Sequence, residues 1–137
     1  MKKIFALVMS WSLAFWSLLL PNSPAYALAM ADKVKCENPD ARWTKKLSKA
    51  YAKLLVEDRF NWNHSEYKAL LKLWGKESAW NHYADNPDST AYGIAQVLNT
   101  KPGTPAPRQI ERGLEYIQHR YEKPSIAWAH WRKHNWY

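Results

Sequence analysis

Apolar side chains recur every three or four residues over three stretches of this chain, and that spacing predicts helices. In the first, Trp43, Leu47, Ala50, Tyr51 and Leu54 share a face while Lys45, Lys49 and Lys53 lie off it, which sets a helix from near Asp40 to about Asp58. Phe60 to His64 reads as a connector, with Ser65 as N-cap and Glu66 in the first turn of a second helix. That helix turns Tyr67, Leu70, Leu71 and Trp74 inward, and Gly75 weakens its end. The third, from about Arg108, carries Ile110, Leu114, Ile117 and Tyr121 in a narrow stripe, beside which Gly113 permits a close neighbour. Pro124 opens a short last helix, Ser125 to Trp131, followed by an aromatic tail at Trp136 and Tyr137.

Between the second and third helices the pattern breaks. Asn, Asp, Pro and Ser crowd the stretch Asn81 to Thr90, which predicts a loop. Tyr92 to Leu98 forms either a helical turn or an extended piece, and the prolines of Thr100 to Pro107 predict a stiff, exposed connection. No segment alternates convincingly enough for a sheet, so residues 40–137 are expected to form one mainly α domain.

The first residues follow a different logic. Lys2 and Lys3 precede an uncharged run from Ile4 to Leu20, after which small residues fall at Ala25, Ala27 and Ala29. This is the layout of a secretory signal peptide, residues 1–27, cleaved after Ala27 or Ala29, with 28–39 as a flexible lead-in. An uncleaved anchor is the competing reading, although the run falls short of the ~20 residues that span a bilayer and Pro21 interrupts it. The expected location is therefore the periplasm or the exterior, with membrane contact only through the signal segment. Cys36 is the single cysteine, which rules out an internal disulfide, and Lys33-Val34-Lys35 before it argues against a lipoprotein signal.

The whole chain has a formal charge of +8. Without residues 1–27 the count is 18 basic against 12 acidic side chains, still +6. Such an excess suits an anionic partner, and for an exported protein the nearest polyanion is a cell wall with its peptide-stem carboxylates. Basic charge interleaved with nine Trp and eight Tyr also fits a single-strand nucleic-acid binder. The usual recognition motifs are missing and the export signal points elsewhere, so no nucleic-acid partner is expected.

The candidate chemistry centres on Glu77. With Leu70, Leu73 and Trp74 it falls on one helical stripe, and a carboxyl held against apolar neighbours is pushed toward ~6, where it can donate a proton near neutrality. The segments Glu77-Ser78-Ala79-Trp80-Asn81, Asn86-Pro87 and Gly93-Ile94-Ala95-Gln96 stand in this order. Together they resemble the motif of the lytic transglycosylase (SLT) and goose-type lysozyme group, over roughly residues 70–137. The resemblance implies a small lysozyme-like helical domain that cleaves the β-1,4 bond between N-acetylmuramic acid and N-acetylglucosamine in peptidoglycan. It implies no metal or organic cofactor, a monomer, and glycan strands as partner, with docking to larger envelope machinery open.

In that family one Glu protonates the leaving oxygen and then, as a carboxylate, helps the muramic acid's own C6 hydroxyl close a 1,6-anhydro ring. The resemblance carries this role to Glu77, and gives Gln96 and Gly93 a place along the sugar subsites. Glycosidases of the two-carboxylate kind need a second acid, for which Asp85 and Asp88 are the candidates, so a hydrolytic muramidase remains the alternative. Ser78 either braces the site or bonds backbone in the last helical turn. Where relatives carry a Ser before the loop proline, this chain has Asn86, with Ser89 nearby. Where they carry Ala-Tyr-Asn, it has Ala127-Trp128-Ala129, which loses the phenol that reaches the acid. Tyr92, Tyr121 or His130 are the candidates to compensate. Trp128, with Trp80, Trp131 and Trp136, is a candidate sugar platform, whereas Trp43 and Trp74 read as core. The Trp128 and Ala129 departures also keep open a third reading, a wall-binding protein without catalysis.

Overall fold

The computed structural model describes residues 43–137. The expected signal peptide, the lead-in, Cys36 and the start of the first helix at Asp40 lie outside the described residues. Four α-helices form the described part: α1 (Lys45–Leu54), α2 (His64–Glu77), α3 (Ala106–Tyr121) and α4 (Pro124–His134). The domain is mainly α, as the periodicities predict.

α1 begins later than expected. Trp43 and Thr44 are not helical, and Thr44 is the N-cap, its hydroxyl accepting the N–H of Leu47 at 3.1 Å. At its other end α1 passes into a π-helical turn, Leu55–Arg59, where the N–H of Phe60 reaches back five residues to the carbonyl of Leu55. The inward face is also rotated by one position from the expected one. Ser48, Tyr51, Ala52 and Val56 are buried while Ala50 is exposed, and the Tyr51 hydroxyl donates to the Glu111 carboxylate of α3 at 2.8 Å. Lys49 is not simply solvated: its ammonium lies 5.8 Å from the centre of the Trp80 ring.

The cap of α2 is Asn63 and not Ser65. The Asn63 side-chain oxygen accepts the N–H groups of Ser65 and Glu66 at 3.0 and 3.2 Å. Leu70, Leu73 and Trp74 are completely buried, whereas Leu71, expected inside, is only half-buried. They meet Ile110, Leu114 and Ile117 of α3 and Ala127 of α4 in one core. Each of these large aliphatic side chains stabilises the fold by roughly 1.5–3 kcal/mol through burial.

α2 packs along α4, and α3 packs against both α1 and α4. Glu66 locks the first of these pairs. Its two carboxylate oxygens accept the backbone N–H and the hydroxyl of Ser125 at 2.7 and 2.9 Å, so an acid on the first turn of α2 caps the N-terminus of α4. α4 starts at Pro124 and continues to His134, one turn beyond the expected Trp131, and closes at Asn135 in the left-handed conformation.

The segment 78–105 is irregular, with antiparallel bridges only between Asp85 and Tyr92 and between Tyr92 and Val97. Tyr92 to Leu98 is thus a turn flanked by short extended contacts. The connection expected to be exposed is anchored at Thr100, which is buried and donates its hydroxyl to the Val97 carbonyl at 2.7 Å.

Candidate active site

Glu77 is the last residue of α2, brought there by the stripe that buries Leu70, Leu73 and Trp74. Immediately after it the chain reverses. The N–H groups of Ser78 and Trp80 both return to the Trp74 carbonyl, at 3.2 and 3.4 Å, and Ala79 and Trp80 take φ values of 50° and 61°. Two consecutive non-glycine residues in the left-handed region are strained; Ala79 is exposed, and the burial of Trp80 holds the reversal in place. Trp80 is only 2% exposed, lies edge-on to Trp74 at 5.2 Å and donates its indole N–H to the Leu71 carbonyl. It is a core residue, not a platform.

The Glu77 side chain is half-buried, and its Oε1 is buried without a hydrogen-bond partner among the described residues. Burial raises its carboxyl above the ordinary carboxylate value, with the indole N–H of Trp131 drawing it back in part. An acid in this setting retains its proton longer than one in water, which is the requirement for a general acid. Beside it sits the hydroxyl of Tyr137, which burial first, and the Glu77 charge second, push well above the usual phenol value. This hydroxyl accepts the Trp74 indole N–H at 2.9 Å and donates to the Ala95 carbonyl at 2.5 Å. Its single proton is therefore engaged by Ala95, so Tyr137 shapes the wall of the site and does not donate to the acid.

The turn Gly93–Gln96 is drawn to the same place by three side chains. Ser78 donates its hydroxyl to the Ile94 carbonyl at 2.6 Å, tying the turn to the end of α2. Gln96 gives its amide N–H groups to the carbonyls of Ala84 and Gly93, at 3.1 and 2.8 Å. Gln109 on α3, 2% exposed, accepts the Ile94 N–H at 2.8 Å and donates to the carbonyls of His82 and Thr104 at 2.9 and 2.7 Å. Gly93, at φ 83°, has no room for a side chain: a Cβ there would come within 2.0 Å of the Gln109 oxygen. Gly113 has the same role on α3, since a Cβ would come within 2.5 Å of both Ala95 and the Trp74 ring.

The remaining candidates fall into two groups. Trp128 stacks on Trp131 at 5.4 Å with an interplanar angle of 14°, so it borders the acid through its neighbour. Tyr121 lies 6.1 Å from Tyr137, ring to ring. Asp85, Ser89 and Tyr92, by contrast, line a surface depression of about 350 Å³ that also includes Asn99 and Lys101 but not Glu77. Asn86 accepts the Asp88 N–H at 3.1 Å and Ser89 accepts the Ala91 N–H at 3.1 Å, both turn-forming contacts. Asp85 and Asp88 are exposed, without the burial that marks Glu77.

Three contributions to the site are not marked by the sequence: Gln109 as organiser of the loop, Trp131 as the partner of Glu77, and Tyr137 as its wall. Gln109 left one legible trace, a polar residue four before Gly113 and flanking Ile110 on an apolar stripe. Tyr137 left none, because its partners are 63 and 42 residues away. Compared with protein-family models, curated proteins and solved structures, the chain matches none.

Proposed function

We propose that this domain cleaves peptidoglycan glycan strands as a lytic transglycosylase, with Glu77 first as acid and then as base, in an exported protein. The observation that carries the reading is the half-buried Glu77 carboxyl, raised by burial and with one oxygen unpartnered, facing Trp131 at the end of a helix. The motif order Glu-Ser, Asn-Pro and Gly-x-x-Gln supports it, as does the packing of the turn Gly93–Gln96 against that helix end through Ser78.

The chemistry needs one acid. Protonated Glu77 gives its proton to the glycosidic oxygen as the bond to C1 breaks and positive charge develops on the sugar. The resulting carboxylate takes the proton of the C6 hydroxyl while that oxygen bonds to C1, which closes the anhydro ring and restores the acid. Because the attacking hydroxyl belongs to the bound sugar, no positioned water is required. Trp128 and Trp131, stacked and half-buried, offer apolar faces against which a sugar ring can lie.

The test is mass spectrometry of fragments released from purified peptidoglycan by the protein and by its Glu77→Gln variant. Products ending in 1,6-anhydro-muramic acid, absent with the variant, are expected. Reducing-end muramic acid would replace the reading with a hydrolase using Asp85 or Asp88, and no release by the unaltered protein would leave a wall-binding role.

A further inference from the structure

Beyond Glu77, the junction of α3 and α4 gathers a second group of polar and aromatic side chains. The guanidinium of Arg120 lies over three aromatic rings, 5.3 Å from the centre of Trp136, 5.6 Å from Tyr121 and 6.0 Å from Tyr116. It forms no ion pair among the described residues, unlike Arg59 and Arg108, which each hold a Glu. Against the same rings sit two histidines of α4. His130 is 5.3 Å from Tyr121, 4.5 Å from Trp136 and 4.4 Å from His134.

One buried polar atom in this group, Nε2 of His130, makes no hydrogen bond among the described residues, and the hydroxyl of Tyr121, a residue 7% exposed, has only the Arg120 guanidinium and the Tyr116 hydroxyl close beside it, without a well-formed bond to either. Leaving a buried polar atom unpaired is costly, and donors gathered beside a guanidinium that has no ion pair among the described residues suit an anion. Burial first, and then His134, Arg120 and Lys133 from both helices, hold the His130 imidazole below the usual value.

We propose that Arg120, the Tyr121 hydroxyl, His130 and His134 form a binding site for a carboxylate, supplied by the peptide stem of the wall strand on which Glu77 acts. The naming of the stem rests on the function proposed above; the anion site itself does not. One permanently charged planar guanidinium matches a monoanion through paired N–H donors. The rings of Tyr116, Tyr121 and Trp136 supply apolar walls for the small side chains beside that carboxylate. Tyr137 packs on both sides of the relationship, 6.1 Å from Tyr121 and with its hydroxyl beside Glu77, so a stem of a few residues, at up to about 3.3 Å per residue, can join the two.

Bound anion favours the protonated imidazole, so binding tightens as pH falls and the His130 pKa rises on binding. The experiment is an NMR titration of the histidine rings in the full chain, with chloride alone, acetate, inorganic phosphate, and a soluble muropeptide bearing either free or amidated stem carboxyls. The free-carboxyl muropeptide is expected to raise the His130 pKa by about half a unit or more, the amidated form to leave it unmoved, and Arg120→Gln to weaken the effect about tenfold. Arg120 is exposed, so this variant keeps the fold, which the unshifted core resonances verify. Equal responses to both muropeptides, or an undiminished response in Arg120→Gln, would overturn the site; a stronger response to phosphate than to the free stem would overturn the stem as its source. The Glu77→Gln variant should bind the free stem unchanged, so loss of cleavage and loss of anion binding are read separately.

Discussion

The side-chain oxygen of Gln109 accepts the backbone N–H of Ile94 at 2.8 Å, across fifteen residues. The amide nitrogen of the same side chain holds the carbonyls of His82 and Thr104. One buried amide on α3 thus organises the irregular segment that faces Glu77, where regular secondary structure is nearly absent.

Replacing Gln109 by Ala leaves an N–H and two carbonyls without partners in a buried setting. The expected loss is about 2–4 kcal/mol, read from denaturant unfolding. A loss under half a kcal/mol would show that water satisfies these groups equally well. On the proposed function, release of wall fragments should fall with it, as the turn Gly93–Gln96 loosens.

The glycines give a graded comparison. Gly93→Ala forces a Cβ into the Gln109 oxygen at a positive φ and should destabilise by about 1–3 kcal/mol. Gly113→Ala meets Ala95 and Trp74 and should cost a similar amount. Gly75 is exposed within α2 and a Cβ there meets nothing, so Gly75→Ala should stabilise by about 0.5–1 kcal/mol. Thermal unfolding of the three variants checks the order, and a destabilised Gly75→Ala would contradict the open surface at that position.

For the transglycosylase proposed above, Glu77→Gln should lower the rate of bond cleavage roughly 100- to 10,000-fold while the domain stays folded. Its stability has a sign of its own. The folded-state carboxyl lies above the unfolded value of about 4.3, so the folded protein retains a proton that the unfolded chain has released. This contribution is therefore present at low pH and is lost as pH rises from the unfolded toward the folded value. The Gln variant lacks it, so its melting temperature should gain on that of the unaltered protein across this window and hold the difference above it. Parallel curves throughout would mean that burial does not raise the acid.

Glu66→Gln exchanges a charged cap of α4 for a neutral one and forfeits part of its interaction with the Ser125 N–H and the helix dipole. The expected cost is about 1–2 kcal/mol. Ser125→Ala removes only the hydroxyl bond and should cost less. Calorimetry of both variants measures the order, and equal costs would mean that the backbone N–H contributes nothing.

The helices were legible because their signals are local. The stripes through Leu70, Leu73 and Trp74 and through Ile110, Leu114 and Ile117 repeat at the helical period and are buried as that period requires. Local competition decided the errors at the margins: Asn63 outdoes Ser65 as a cap because its carbonyl reaches two N–H groups at once. Trp80, at the end of a helix, reads as a candidate sugar platform, yet the reversal after Glu77 buries it against Trp74.

Periodicity alone placed Glu77 on an apolar stripe, and motif order marked the turn at Gly93, because both depend on residues close in the chain. What surrounds the acid did not follow from either. Tyr137 meets Trp74 and Ala95, Glu66 meets Ser125, Gln109 meets Ile94, and Arg120 rests on Trp136 only once α2, α3 and α4 have packed. Those pairings join hydrogen-bonding groups and rings that are distant in sequence or lie across helix ends, and the burial that makes them strong exists only in the assembled core.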